Sequence, residues 1–80
     1  MRLPRDLSGR DLTVRLERVF SYQRIHQVGS HIVLQTKMPH HRIAIPDHKV
    51  LRIGTLNAIL RAIGDAQGFT KEEVFERLFD

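Results

Sequence analysis

Hydrophobic positions recur with helical spacing in three stretches of the chain and alternate in the region between the first two. The first stretch follows Ser8, whose side chain is suited to cap the backbone N–H groups of a helix start. We expect a helix over about residues 8–19, with the apolar positions Leu12, Leu16 and Val19. The second stretch predicts a helix that begins around Gly54-Thr55 and ends at Gly64. Its apolar stripe is Leu56, Ile59, Leu60 and Ile63.

The third stretch has the clearest start signal. Thr70 and Glu73 form the pattern of a capping box, in which each side chain bonds the backbone N–H of the other residue. The apolar positions that follow are Val74, Phe75, Leu78 and Phe79. These positions predict a C-terminal helix, connected to the second helix through residues 64–69.

Alternating positions between residues 20 and 45 predict three β-strands. We expect the strands at residues 20–27, 31–36 and 41–45. Residues 28–30 indicate a tight turn between the first two strands, and Pro46 ends the third. In the second strand Ile32 and Leu34 share one side, so His31 is expected on the other.

The element order therefore predicts an α+β fold of the α-β-β-β-α type with an extra C-terminal helix, in one domain over residues 1–80. Three antiparallel strands would pack one side on the helices and leave the other side open.

Charge narrows the possible partners. The net charge is +4 at pH 7. Residues 1–61 hold eleven Lys and Arg against four Asp and Glu, whereas residues 62–80 hold two against five. A basic body with an acidic end favours a polyanionic partner, most simply nucleic acid.

Several functional classes are excluded or disfavoured by composition. The chain has no cysteine, which excludes disulfides and cysteine-based metal sites. It has neither an apolar run long enough for a membrane helix nor the apolar stretch of a signal peptide. We therefore expect a cytoplasmic protein without a membrane partner.

His31 is the leading candidate for chemistry, because imidazole is the side chain suited to proton transfer near neutral pH. It follows Gly29 and Ser30. The glycine allows unusual backbone angles and the approach of a phosphate, and the serine hydroxyl can bond a phosphate oxygen or orient the imidazole. An ordinary exposed histidine at a strand start is the competing interpretation.

Other candidates for phosphate contact flank this point. His48 and Lys49 lie in the loop before the second helix, where the backbone N–H groups around Gly54 and Thr55 could bind an anion. Arg24 and Arg42 would line the strands. Solvated charges are the alternative interpretation for all of them. Four further arginines are expected to be only surface charges: Arg2, Arg5, Arg10 and Arg15.

The remaining histidines and aromatic residues leave alternatives open. One of His40 and His41 would approach His31 if the second and third strands pair as a hairpin. A histidine-only metal site of His31, His41 and His48 is disfavoured, because no nearby carboxylate would orient the ligands, and we expect no metal and no cofactor. Phe20 and Tyr22 could stack a base or form the edge of the core.

Four strings in order resemble a known family: LPRDLSGRDLTVRLERVF, GSHIVL, HHRIAIPDHK and LRIGTLNAILRAIG. Together they resemble the HicA-like (YcfA-type) toxins, which are mRNA interferases of toxin–antitoxin pairs. The resemblance implies a double-stranded-RNA-binding-like fold and RNA cleavage without a metal. It also implies mRNA as substrate and a HicB-type antitoxin that covers the active face. We expect a monomer or weak dimer when the chain is free.

The resemblance also assigns residues. The essential histidine of the family falls on His31, preceded by Gly29 and Ser30. A proline-x-histidine motif falls on Pro46 and His48, and a helix-start motif falls on Gly54 and Thr55. The chain departs from the family where an arginine commonly precedes the glycine-serine-histidine turn and a second histidine follows it. These places hold His26 and Ile32. Residues 65–67 are expected to lengthen the connection to the last helix.

Three rival functions remain. A non-catalytic RNA-binding module would use the same basic sheet. A DNA-binding helix-turn-helix of the last two helices is disfavoured, because their predicted connection is long and the last helix is acidic. The third is a module that only binds another protein. Complex formation alone does not distinguish it from a toxin, because a toxin would also bind a protein partner.

Overall fold

Three strands and three helices follow one another in the predicted order. The structure, a computed structural model, describes residues 3–80, so Arg2 lies outside the described residues. The elements are α1 (Gly9–Phe20), β1 (Gln23–Val28), β2 (His31–Lys37), β3 (His40–Pro46), α2 (Ile53–Gln67) and α3 (Lys71–Phe79). This confirms the α+β arrangement, a helix and a three-stranded antiparallel sheet followed by two helices.

The sheet has the strand order β1-β2-β3, with antiparallel pairing throughout. Alternate residues of β2 are buried against the helices, namely Ile32, Leu34 and Thr36. We call the opposite side the free face. Its residues include His26, Val28, His31, Val33, Gln35, His40, Arg42 and Ala44. The expected division of the sheet into a covered side and an open side is confirmed, and it places His31 on the open side.

A β-bulge interrupts the alternation in β1. The register shifts between Arg24 and His26, with Ile25 as the extra residue. Arg24 is therefore opposite Leu34, on the side that faces the helices, while His26 is opposite Val33, on the free face. One inserted residue moves every position before it to the other side of the sheet.

Helix α1 begins as predicted. The backbone N–H of Asp11 donates to Ser8 Oγ at 3.0 Å. Leu12 and Leu16 are fully buried, but Val19 is 41% exposed. The expectation that the whole apolar stripe of α1, Val19 included, lies in the core is therefore wrong. The last turn of α1 borders a surface groove near Leu78 instead of packing under the sheet.

Helix α2 extends past its predicted end. Gly64 lies inside the helix, which ends at Gly68 in the left-handed region with φ +80°. A Cβ on Gly64 would come within 2.5 Å of the Phe69 carbonyl oxygen, so this glycine permits close packing rather than ending the helix. Residues 65–67, expected in the connection, are helical. The connection to α3 is therefore only residues 68–70, and the acidity of α3 remains the argument against a DNA-binding pair.

Helix α3 begins with the predicted capping box. Thr70 N–H donates to Glu73 Oε1 at 2.8 Å, and Glu73 N–H donates to Thr70 Oγ1 at 3.1 Å. Val74 and Leu78 are buried in the core. Across residues 3–80, no helix combines the length and the apolar character that crossing a membrane requires.

Candidate functional site

The turn before His31 has the backbone geometry that its glycine predicted. Gly29 adopts φ +57°, and an added Cβ would meet no atom within 4 Å. Glycine is therefore favoured here for its left-handed angle and not by crowding. His31 follows as the first residue of β2, opposite Val28 on one side and Pro46 on the other. Its side chain is exposed on the free face.

Asp47 fastens this turn to the rest of the molecule. Its backbone N–H donates to the Ser30 carbonyl at 2.6 Å. Its carboxylate accepts two hydrogen bonds from Arg10, at 3.0 and 3.3 Å, and one from Gln27 Nε2 at 3.3 Å. The same Gln27 nitrogen lies 3.1 Å from the Gly29 carbonyl. Hydrogen bonding to Arg10 holds the pKa of Asp47 below its ordinary value, so the carboxylate is ionised at neutral pH.

Sequence reasoning missed this network. Arg10 was expected to be only a surface charge, yet it bonds a residue 37 positions away in the sequence. No spacing rule links two residues at such a separation, and a single carboxylate in a basic loop gave no other signal.

The loop after β3 lies directly against the start of α1. Gly9 N–H donates to the His48 carbonyl at 2.9 Å, and Leu51 N–H donates to the Leu7 carbonyl at 2.8 Å. A Cβ on Gly9 would collide with the Pro46 carbonyl. His48 and Lys49 are exposed. They border a groove of about 360 Å³ whose other lining residues are Ser8, Arg10 and Asp47.

The start of α2 offers backbone donors. Arg52 is the residue before the first turn, and its side chain makes no capping hydrogen bond. Gly54 is exposed and open, since no atom lies within 4 Å of an added Cβ. Thr55 is half-buried in the same turn. N–H groups at an uncapped helix start are suited to bind an anion.

The two strand arginines are in different places. Arg42 is on the free face and donates to Gln35 Oε1 at 2.8 and 3.1 Å. Because Gln35 is four residues along β2 from His31, Arg42 lies roughly 13 Å from His31. Arg24 is on the helix-facing side, paired with Glu17 at 3.3 Å. The structure therefore does not bring Arg24 to the free face.

His41 belongs to the core side of the sheet. Its Nδ1 lies 2.6 Å from the Tyr22 hydroxyl. Burial, followed by the nearby His40, lowers the pKa of His41, and burial raises the pKa of Tyr22. The tautomer of the imidazole decides which of the two groups donates this hydrogen bond.

This placement settles two of the open alternatives. Tyr22 is only 2% exposed, so its role is in the core and not in base stacking. Phe20 is half-buried with its ring centroid 6.1 Å from that of Phe69, which also places it at the core edge.

The histidines do not gather as a metal site would need. The second and third strands pair as a hairpin, but His40 and His41 lie at its Lys37 end, whereas His31 pairs with Pro46 at the other end. The expectation that one of these two histidines would approach His31 is therefore wrong. His31 and His41 also face opposite sides of the sheet. Among residues 3–80 no group of three His, Asp or Glu side chains is arranged to hold a metal ion.

His26 is the histidine that the strand register brings towards His31. It is opposite Val33, one step along the free face from the Val28–His31 pair. Diagonal neighbours on two paired strands are on the order of 7–8 Å apart. Sequence reasoning treated His26 only as the place of a missing arginine.

Comparison with known proteins identifies the family. A family model described as the HicA toxin of bacterial toxin–antitoxin systems matches residues 9–64, which run from the start of α1 into α2. No curated protein and no solved structure matches the chain. The matched segment contains the whole sheet, the Gly29-Ser30-His31 turn and the loop of His48. The chain belongs to the HicA toxin family, and its role is that of a toxin with an antitoxin partner.

Proposed function

We propose that this toxin is a metal-independent mRNA endoribonuclease in which His31 transfers a proton. The observation that supports the proposal most directly is the exposed His31 on the free face, behind the left-handed Gly29 and beside the loop of His48 and Lys49. An imidazole at this point is open to an RNA phosphate. The family match supports a toxin role. The resemblance to mRNA interferases supports RNA as the substrate.

The chemistry needs few groups. The ribose 2′-OH loses its proton as its oxygen attacks the adjacent phosphorus. The bond from phosphorus to the 5′ oxygen then breaks, and that oxygen takes up a proton. The products are a 2′,3′-cyclic phosphate and a 5′-hydroxyl. An imidazole that gives or takes one of these protons contributes roughly 10²–10⁴-fold.

Stabilisation of the crowded phosphate falls to groups around the same end of the sheet. Lys49, His48 and Ser30 supply side chains, and the first turn of α2 at Gly54 and Thr55 supplies backbone N–H groups. Arg42 is too far from His31 to act on the same phosphate and would hold the RNA further along the free face. Arg24 takes no part, because it is paired on the helix side.

The antitoxin is proposed to be of the HicB type and to cover the free face. Val28 on this face is 59% exposed. Apolar side chains on an open sheet favour a protein partner as well as RNA. We expect the free toxin to act in the cytoplasm as a monomer or weak dimer.

The test is RNA cleavage by the purified chain in EDTA. Wild type is compared with His31→Ala, and His40→Ala is the matched control, since His40 is exposed on the same face at the far end of the sheet. Circular dichroism establishes that all three fold. We expect cleavage by wild type and His40→Ala only.

Two other results would change the conclusion. Equal cleavage by His31→Ala would remove His31 from the mechanism. RNA binding by all three proteins without product would instead establish the alternative function, a non-catalytic RNA-binding module with the same fold.

A further inference from the structure

Asp47 is an acidic residue in a groove that is otherwise suited to an anion. Arg10, His48 and Lys49 line the same groove together with Ser8, whose helix start attracts negative charge. A carboxylate here opposes the binding of phosphate by its charge. Its presence in an RNA-binding surface therefore needs another explanation.

Stability does not supply that explanation. The side chain of Arg10 is 76% exposed and that of Asp47 is 17% exposed, and an ion pair with one partner so open to solvent contributes little to folding. Loss of the pair should leave the fold intact.

The contacts of Asp47 instead converge on the turn that presents His31. The backbone N–H of Asp47 holds the Ser30 carbonyl at 2.6 Å. Its carboxylate orients Gln27, whose amide nitrogen also bonds the Gly29 carbonyl at 3.1 Å. Arg10 fixes the carboxylate from α1. Three segments of the chain thus meet at Asp47. Its backbone bonds Ser30 directly, and its side chain reaches Gly29 through the amide of Gln27.

We propose that Asp47 is a positioning residue, which holds the Gly29-Ser30 turn and so orients His31 for cleavage. The catalytic part of this inference rests on the proposed ribonuclease function. The part that concerns the order of the turn does not.

Kinetics separate positioning from charge. If Asp47 acted only by its charge, Asp47→Ala would bind RNA more tightly and lose no turnover. If it positions His31, Asp47→Ala lowers kcat roughly tenfold or more, because small misplacements of a reacting group are costly. RNA affinity, measured in the His31→Ala background, should not weaken. Asp47→Asn keeps an acceptor oxygen and should retain an intermediate kcat.

A matched control comes from another ion pair of α1, the one that Glu17 forms with Arg24 of β1. Glu17→Gln removes the carboxylate that pairs with Arg24, far from the turn. It should leave kcat unchanged. Arg10→Ala should lower kcat as Asp47→Ala does, and the double variant should lose no more than the worse single variant.

A second measurement does not depend on activity. Backbone ¹⁵N order parameters of Gly29, Ser30 and His31 should fall in Asp47→Ala and stay at the wild-type values in Glu17→Gln. Unchanged order parameters together with unchanged kcat would overturn the inference while cleavage by wild type upheld the proposed function. A loosened turn in a chain whose wild type cleaves no RNA would refute the ribonuclease function and keep Asp47 as the residue that orders the turn.

Discussion

His31 and His41 occupy neighbouring strands, yet the sheet separates them by side. His41 faces the helices and shares a hydrogen bond with the Tyr22 hydroxyl, whereas His31 is open to solvent on the free face. Packing therefore favours the neutral form of the His41 imidazole, and the exposed imidazole of His31 is the one to which we assign proton transfer.

The half-buried imidazole of His41 predicts how stability depends on pH. The folded chain lowers the pKa of His41 below the usual value of 6.5, so the unfolded chain binds a proton more readily. The stabilisation is complete above about pH 6.5 and is lost as the pH falls through the lowered pKa. We expect Tm to drop between pH 7 and pH 5.

His41→Gln provides the control for this experiment, since the amide of glutamine can form a hydrogen bond with Tyr22 in either direction but does not titrate. Its Tm should be nearly flat over the same range. Asp47 and Glu73 also have lowered pKa values, but carboxylates change the stability with pH only below about pH 4.5, outside the range of this experiment. An equal drop in both proteins would assign the pH dependence to another group.

His26 is expected to be the second proton-transfer group. Variants His26→Ala and His48→Ala are compared on an RNA whose 5′ bridging oxygen is replaced by sulfur, a leaving group that needs no proton. If His26 protonates the leaving oxygen, His26→Ala loses about 10²-fold on normal RNA and recovers on the sulfur substrate. Recovery by His48→Ala alone would assign that role to the loop instead.

Residue positions were predictable where alternation held. The pattern of Ile32, Leu34 and Thr36 placed His31 correctly on the free face. Alternation was not informative in β1, because a bulge at Ile25 leaves no mark in a run of polar residues. The sequence therefore contains no indication that Arg24 lies on the helix-facing side. The Arg10–Asp47 contact was also out of reach, since only the folded chain brings the two segments together.

At the scale of elements, the junction of α2 and α3 depends on one small residue. Gly64 accepts hydrogen bonds from the N–H groups of Gly68 and Phe69, at 2.8 and 2.9 Å, and lets the Phe69 backbone rest on the helix. Helix starts at Ser8 and Thr70 were predictable from their caps. The end of α2 was not, because a glycine signals both a helix end and a close approach, and the sequence does not distinguish them.

Gly64→Ala therefore tests this junction. The added Cβ meets the Phe69 carbonyl at 2.5 Å, so α3 must shift, and we expect a loss of roughly 1–3 kcal/mol in the free energy of unfolding. Gly54→Ala is the matched control in the same helix. No atom lies near its added Cβ, and it should gain about 0.5–1 kcal/mol. Urea denaturation measures both, and equal effects would show that Gly64 makes no special contact.

At the scale of the molecule, charge is divided between the site and the C-terminal helix. The acidic side chains of α3 are Glu72, Glu73 and Glu76. The family match ends at Gly64, so this helix lies outside the matched segment. The basic side chains proposed to meet RNA lie before this helix, at Lys49 and Arg42, together with His48.

The salt dependence of RNA binding follows from this division. Each cation that contacts a phosphate releases a counterion, which changes the slope of log affinity against log salt by about 0.7 for a single strand. In the His31→Ala background, Lys49→Gln should reduce the slope by that amount, and Arg24→Gln should leave it unchanged. Filter binding at several salt concentrations measures both slopes. A reduced slope for Arg24→Gln alone would place the RNA on the helix side.

The loop that follows β3 is tied down at three points of its backbone, to Ser30, to Gly9 and to Leu7. Such a loop has already given up its conformational entropy during folding. The proposed contact with RNA through His48 and Lys49 would then order only side chains, without a further cost for ordering the backbone. Recognition of RNA by this toxin should therefore behave as a rigid encounter, in which the loop keeps the same backbone conformation before and after binding.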